Sequence, residues 1–424
     1  MARQNFTKPR GTQDILADLQ PAWRLVHDNF SRLSLAAGFE RISTPMFEDA
    51  DLFVRGVGSD TEVVAKEMYV FTDRSDNKLA LKPESTAGVV RAYIENHLDN
   101  QPKPVKLFYF EPHFRYERPQ AGRYRQHHQL GVEVFGVGEA YMDAHVIALG
   151  ARFLKSLGMD FQLQVNSIGD KQMRAKFQQA LRGYFLPHRS KLSEVATAQL
   201  DRNPMRLLDS KDEAVVKLSE NAPQILDYLD TAAKEHFAAV LEYLDDLGIE
   251  YELNPRLVRG FDYYNRTVFE FKGSHVGQQD SIGGGGRYDG LVEELGGKPT
   301  QAVGFGLGVE RLILELEKSG RLPTIKGPEV YVVGLGEEAR DKVFSLVEQL
   351  LDAGMSVATA YAKGSMSDQL AQASKLKAKL CLIIGKKEMA SQTVIIKDMA
   401  STTQGVIGNS MVMAEVRNRL SGGQ

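Results

Sequence analysis

Arginine is concentrated in one stretch that could handle an anion. In FRYERPQAGRYRQHHQLGVEVFG, residues 114–136, Arg115, Arg118, Arg123 and Arg125 crowd around Pro119 and Gly122. Two strands flanking a proline and glycine loop make a hairpin-like element. Alternation puts Arg115 and Glu117 on one face, and Gln129 and Glu133 on one face of the return strand. Four guanidiniums and two carboxylates then converge, as an anion site or as a solvated charged hairpin. Two further arginines bear on that choice. Arg259 stands in LVRGFDYYNRTVFEF beside a glycine and a tyrosine pair, and Arg311 in GLGVERLILEL at the start of an apolar helix. A guanidinium among apolar and small residues has an anion to hold, either a side chain such as Asp262 or Glu310 or a ligand. Separated arginines focused on one pocket suit a triphosphate, because guanidinium binds phosphate oxygens bidentately.

Other chemistries fit less well. Gly334-Leu335-Gly336-Glu337-Glu338-Ala339 has GxGxxA spacing, but the next strand, SVATAYAKG, ends without the acidic residue that would hold a ribose. GGKPT is no P-loop, since proline follows its lysine. His127 and His128 are neighbours on a strand and point to opposite faces, so they do not easily share a metal ion with His113. No direct side-chain metal ligands are expected. The lone cysteine, Cys381 in LCLIIG, leaves no intrachain disulfide or zinc cluster.

The elements that must position these residues follow from composition and periodicity. The chain has 424 residues, 52 basic against 55 acidic, and 43 % hydrophobic content. That is ordinary globular composition, long enough for about two or three domains. A formal charge of −3 leaves any nucleic-acid contact to local patches. The polar N-terminus and the absence of a long apolar run give the expectation of a cytosolic protein without membrane contact. Residues 20–37 show helical spacing, and FERISTPMFEDADLF reads as an exposed or edge strand up to Pro45. From 79 to 136, strand-like KLALKP, VKLFYFEPHFRYE and QLGVEVFG surround the helical STAGVVRAYIENH, suggesting an antiparallel sheet. Residues 170–255 are helical, with APQILDYLDTAAKEHFAAVLEYLDDLG read as one long helix started near Pro223 and stopped at Gly248. RTVFEFKG, a glycine cluster at 283–286 and AVGFGLGVERLILELE return to the sheet. PTIKGPEV marks a linker, after which strand and helix alternate in a small, largely parallel α/β layer.

These runs together resemble the class II aminoacyl-tRNA synthetases, over essentially the whole chain. AGFERISTPMFEDADLF is similar to the first class motif, the arginine-rich stretch to the second, and AVGFGLGVERLILEL to the third. LVRGFDYYNRTVFEF and GGGGRYDGLVEELGG are similar to the signatures of the histidyl-tRNA synthetase family. The resemblance implies an α+β fold, with an antiparallel sheet flanked by helices, a helical insertion and a separate C-terminal α/β domain. It implies a catalytic domain at 1–169 and 256–325, the insertion at 170–255, and an anticodon-binding domain at 328–424. Histidine would react with ATP to give histidyl-adenylate and pyrophosphate, and the acyl group would pass to the histidine tRNA. Arg259 and Arg115 would be the catalytic α-phosphate ligands. Arg311 would lie near adenine and the γ-phosphate, Arg123 on the polyphosphate, Glu117 at the adenine amino group, and His127 stacked on adenine. Glu84, Thr86 and Gln129 would sit near the substrate ammonium, with Ser85 between them where glycine is common. Glu133 and Tyr264 would address the imidazole, and Tyr263 would line the pocket.

The resemblance further implies Mg²⁺ on the β- and γ-phosphates and a homodimer formed around the Pro45 segment. The helical insertion would clasp the acceptor arm. Lys363, Lys375, Lys377, Lys379, Lys386 and Lys387 offer the second domain either a tRNA patch or a solvated surface. The competing family reading is a synthetase-like regulatory subunit that binds histidine without aminoacylation.

Overall fold

A computed structural model describes residues 6–59, 61–210, 212–274, 281–361 and 363–422. It divides into two units, Met1–Pro323 and Thr324–Gln424. The boundary falls in the proline- and glycine-marked linker.

The strands of the first unit, in chain order, are β1 (Glu40–Arg41), β2 (Phe47–Asp49), β3 (Val70–Thr72), β4 (Lys78–Leu81), β5 (Val105–Phe114) and β6 (Gln126–Phe135). They continue with β7 (Phe161–Ser167), β8 (Glu252–Leu253), β9 (Asn265–Gly273), β10 (Ser281–Arg287) and β11 (Ala302–Gly308). Eight of them form one sheet in the order β1-β5-β6-β11-β10-β9-β7-β8. Its pairs are antiparallel except at the two ends, where two-residue β1 and β8 run parallel to β5 and β7. The expected edge strand around Pro45 is therefore only Glu40–Arg41. Proline ends it, and Phe47–Asp49 turns into a separate three-stranded sheet, β2-β4-β3. The glycine cluster at 283–286 is part of β10. A Cβ on Gly285 would overlap the Gly304 carbonyl oxygen, so glycine lets β10 and β11 approach closely.

The period of two sorts the sheet's side chains into two faces. Phe108, Leu130, Val132, Val134, Phe269, Phe271, Val303 and Leu307 face a core shared with helices Gln20–Ala36, Ala140–Ser156 and Val309–Lys318. Tyr109, Gln129, Glu133 and Glu270 project from the other face into a cavity.

Three helices follow, Lys171–Phe185, Glu194–Arg202 and Glu213–Ser219, around Phe177, Leu181, Phe185, Leu200 and Val215. Asp170, Ser193 and Asp212 accept backbone N–H bonds at their starts. The expected single helix after Pro223 is broken. Ile225–Tyr228 is a 3₁₀ turn, and Asp230 caps a new helix, Thr231–Asp246, by accepting from the Ala233 N–H. Phe237, Val240 and Leu244 of that helix join the main core.

The second unit contains β12 (Val330–Gly334), β13 (Val357–Thr359), β14 (Leu380–Ile384), β15 (Thr393–Asp398) and β16 (Gln404–Gly408), in the order β13-β12-β14-β15-β16. The first three strands are parallel, and the last two add antiparallel pairs that the strand and helix alternation did not suggest. Among the described residues, no helix is long and apolar enough to cross a membrane.

Candidate active site

A cavity of about 640 Å³ opens over the exposed face of β5, β6, β9, β10 and β11. Arg115, Glu117, Arg123, His127, Gln129, Glu133, Arg259, Tyr263, Tyr264 and Arg311 all line it, with Glu84 and Thr86. The three arginines on which the triphosphate reading depends thus face one space, although 144 and 52 positions separate Arg115 from Arg259 and Arg259 from Arg311.

The arginine end is tied to backbone. Arg115 Nε donates to the Pro83 carbonyl at 2.8 Å, and its guanidinium lies over the Phe261 ring at 5.5 Å. Arg311 donates through Nη1 to Ser281 O at 2.6 Å and through Nε to Gly122 O at 3.3 Å. Burial, and then the Arg123 charge, lower the Arg311 pKa. Arg259 is held by Glu270 at 3.0 Å. Burial opposes its charge, but Glu270 and the neighbouring phenols hold its pKa above the ordinary value. Neither Asp262 nor Glu310 takes the role of its partner. Glu310 accepts instead from the backbone N–H of His128 at 2.9 Å and pairs with its Nδ1 at 2.9 Å. Burial, then Arg115 and Arg311, lower the His127 pKa and keep that imidazole neutral.

Two of the four hairpin arginines do not converge. β5 ends at Phe114, so strict alternation stops before the loop. Arg118 is exposed, and Arg125 stacks over Tyr116 at 3.7 Å. Arg123 Nε lies 3.2 Å from Glu117 Oε2 without hydrogen-bonding geometry.

The opposite end is acidic and phenolic. Glu84 accepts from the N–H groups of Thr86 and Ala87 at 2.7 and 2.8 Å, at the start of helix Thr86–Glu95. Burial raises its pKa against those bonds. Glu133 accepts from Thr86 Oγ1 at 2.8 Å, Tyr109 at 3.3 Å and Tyr288 at 2.5 Å. Burial pushes its carboxyl up to about 8. Tyr263 and Tyr264 pack 4.6 Å apart, and burial raises both phenols. Ser85 departs from the sequence expectation: its hydroxyl is engaged by His113 Nε2 at 2.7 Å, and it does not line the cavity. Tyr109, Tyr288 and Glu270 were missed. Tyr288 and Glu270 stand inside the histidine-type runs, where a phenol and a carboxylate beside the chosen residues were the available signal.

Comparison with known proteins accounts for nearly the whole chain. The histidyl-tRNA synthetase family matches residues 11–312, and an anticodon binding domain matches residues 329–419. The histidine–tRNA ligase of Pelotomaculum thermopropionicum is 44 % identical over 98 % of both chains. That of Limosilactobacillus fermentum is 47 % identical over 93 % of this chain and 94 % of its own. The apo histidyl-tRNA synthetase of S. aureus superposes with a TM-score of 0.80 at 33 % identity, covering 97 % of this chain and all of its own. A paired arginine end and carboxylate end in one cavity, and this likeness along the full length, place the chain in the histidyl-tRNA synthetase family of class II aminoacyl-tRNA synthetases.

Proposed function

We propose that this cavity activates L-histidine with ATP and passes the histidyl group to the histidine tRNA. The chain is a histidine–tRNA ligase, with ATP as a substrate, and this reading is favoured over a histidine-binding regulatory subunit. The observation that carries it is the division of a single cavity into an arginine end and a buried carboxylate end.

In the first step the histidine carboxylate attacks the α-phosphorus, the bond to the bridging oxygen breaks, and pyrophosphate leaves. Negative charge grows on the phosphate oxygens, and fixed guanidiniums stabilise it without reorganising. Arg115 and Arg259 take this role, Arg123 and Arg311 hold the polyphosphate, and Glu117 and His127 receive adenine. In the second step a hydroxyl of the terminal ribose attacks the acyl carbon, and AMP leaves. Glu84, Thr86 and Gln129 receive the ammonium group, while Glu133 and Tyr264 receive the imidazole beside Tyr263. A competitor without ring nitrogens leaves these buried groups unpaired, which supports selection without editing.

Glu270 lines the same cavity and is an oxygen donor suited to a hard cation. Mg²⁺ held there would supply positive charge to offset that of the polyphosphate. The exposed Met46, Phe47, Val70 and Phe71, on and beside the small sheet, support a homodimer built on the Pro45 segment. The second unit is the anticodon-binding domain, the helices at 170–255 an acceptor-arm clasp, and the use of tRNA and ATP points to the cytoplasm. The test is exchange of pyrophosphate into ATP with each amino acid in turn, in Mg²⁺. Exchange with histidine alone is expected, and its absence from folded protein would refute the reading.

A further inference from the structure

The loop at residues 259–264 carries Arg259, Tyr263 and Tyr264 into the cavity, yet it has no regular structure and joins no strand before Asn265. Something else must fix it. On one side, the Asp262 N–H donates to the Val57 carbonyl at 3.3 Å, and a Cβ on Gly58 would meet Asp262 Oδ2 at 2.6 Å. On the other side stand two arginines of the helical segment. Arg174, on helix Lys171–Phe185, donates through Nη1 to the carbonyl of Tyr264 and to that of Asp262 at 3.3 Å. Arg206, on the 3₁₀ turn Pro204–Asp209, donates through Nη2 to the Gly260 carbonyl at 2.9 Å and to Asp262 Oδ1 at 3.3 Å.

The pattern is regular. Carbonyls 260, 262 and 264 face guanidiniums, while the alternate Phe261 ring lies beneath Arg115 and the Tyr263 ring packs 5.7 Å from Tyr288. Loop carbonyls are ordinarily solvated, so charged donors on three of them are a fixing device, not a requirement of the sheet. The same 3₁₀ turn places Leu208 and Asp209, with Ser210 after it, on the cavity wall. The helical segment therefore touches the cavity directly and through the loop.

We propose that Arg174 and Arg206 are positioning residues for histidine activation, holding the 259–264 loop so that Arg259 and Tyr264 stand where the substrate needs them. The inference rests on the reading of this cavity as the activation site. It makes the helical segment a determinant of amino-acid affinity and not only of stability.

The experiment measures histidine-dependent pyrophosphate exchange in the full chain with Arg174→Met, Arg206→Met, Arg206→Lys and the double Met variant, with active sites counted by adenylate burst. Each Met variant should raise the histidine KM about tenfold and lower kcat as well, because Arg259 moves with the loop, while the ATP KM stays within about twofold, because Arg115, Arg123 and Arg311 stand on other elements. Arg206→Lys, which retains a charged donor, should recover part of the loss. The double variant should lose less than the product of the single losses, since both side chains hold one loop. A fall in active-site count with unchanged KM values would mean a merely structural role and overturn the proposal. Should Arg174→Met fail to fold, Arg206→Met decides alone, its side chain being 26 % exposed. Wild-type protein without histidine exchange would sink the activation reading, whereas active wild type with unchanged variants sinks only this inference.

Discussion

The Tyr288 phenol donates to Oε2 of Glu133 across 2.5 Å, on the opposite carboxylate oxygen from the one that Thr86 and Tyr109 serve. Three hydroxyls thus aim one buried carboxyl. In Tyr288→Phe the oxygen stays buried without its donor, at a cost of about 1–3 kcal/mol. The histidine KM for exchange should rise about tenfold, with the ATP KM within about twofold. Equal changes in both constants would disconnect Tyr288 from the histidine end.

Glu133 also makes a prediction about pH. Burial raises its folded pKa to about 8, whereas an unfolded glutamate titrates at about 4.3. Between those values the folded chain keeps a proton that the unfolded chain has released. Stability from this group is therefore complete below the unfolded value and declines as pH rises toward 8. Glu133→Gln has no such proton to lose. Its unfolding midpoint should exceed wild type by more at pH 8 than at pH 5, while exchange with histidine falls by about a hundredfold or more. A difference in midpoint that is constant over this range would contradict the assignment.

Arg259 separates chemistry from binding. Its guanidinium is anchored by Glu270, which also accepts from Ser281 Oγ at 2.5 Å, so the carboxylate keeps one donor when the arginine is replaced. Arg259→Gln should lower the exchange kcat by about 10²–10³, the range for loss of one preorganised donor to developing charge, and leave the histidine KM within a few-fold. Rapid-quench measurement of adenylate formation would test this. A loss carried by KM alone would make Arg259 a binding residue.

Much of this site was legible because class II chemistry leaves charged residues inside apolar runs. Arg259 and Arg311 stood out for that reason, and both line the cavity. The hairpin was partly misread because alternation holds only while a strand lasts. Beyond Phe114 the chain leaves the sheet, so Arg118 and Arg125 go elsewhere. Ser85 was grouped with Glu84 and Thr86 by the resemblance of the motif they share, but the start of a helix turns neighbours in different directions and brings it to His113. The break at Asp230 was hidden within continuous apolar periodicity, because a helix cap depends on one side-chain acceptor. Tyr109 carried no signal in isolation. Only the register that sets β5 against β6 brings its phenol to Glu133.

The apolar side chains beside the small sheet test the proposed dimer. Phe47 is 52 % exposed, and its ring packs 6.3 Å from that of Phe71, so little in the monomer depends on its outer face. Phe47→Glu should shift the protein from dimer to monomer in sedimentation velocity, with an unfolding midpoint lowered only as dissociation requires. A wild-type monomer, or a variant that stays dimeric, would remove this patch from the interface.

Gly304 is the most stringent position in the cavity floor. β11 pairs it with Glu133 on β6, and a Cβ there would overlap Glu133 Oε2 and the Val132 carbonyl oxygen. The carboxylate must turn away and lose the geometry that Thr86 and Tyr288 impose, and β11 must also shift against β6 to clear the backbone oxygen. Gly304→Ala should therefore impair histidine activation more than ATP binding, with a destabilisation of about 1–3 kcal/mol from overpacking. Gly183→Ala is the matching control. A Cβ at this helical position meets nothing within 4 Å, and it should stabilise the chain by about 0.5–1 kcal/mol without altering exchange. Normal histidine KM in Gly304→Ala would mean that the exact placement of Glu133 does not govern recognition, because its carboxylate is the side chain nearest the added methyl.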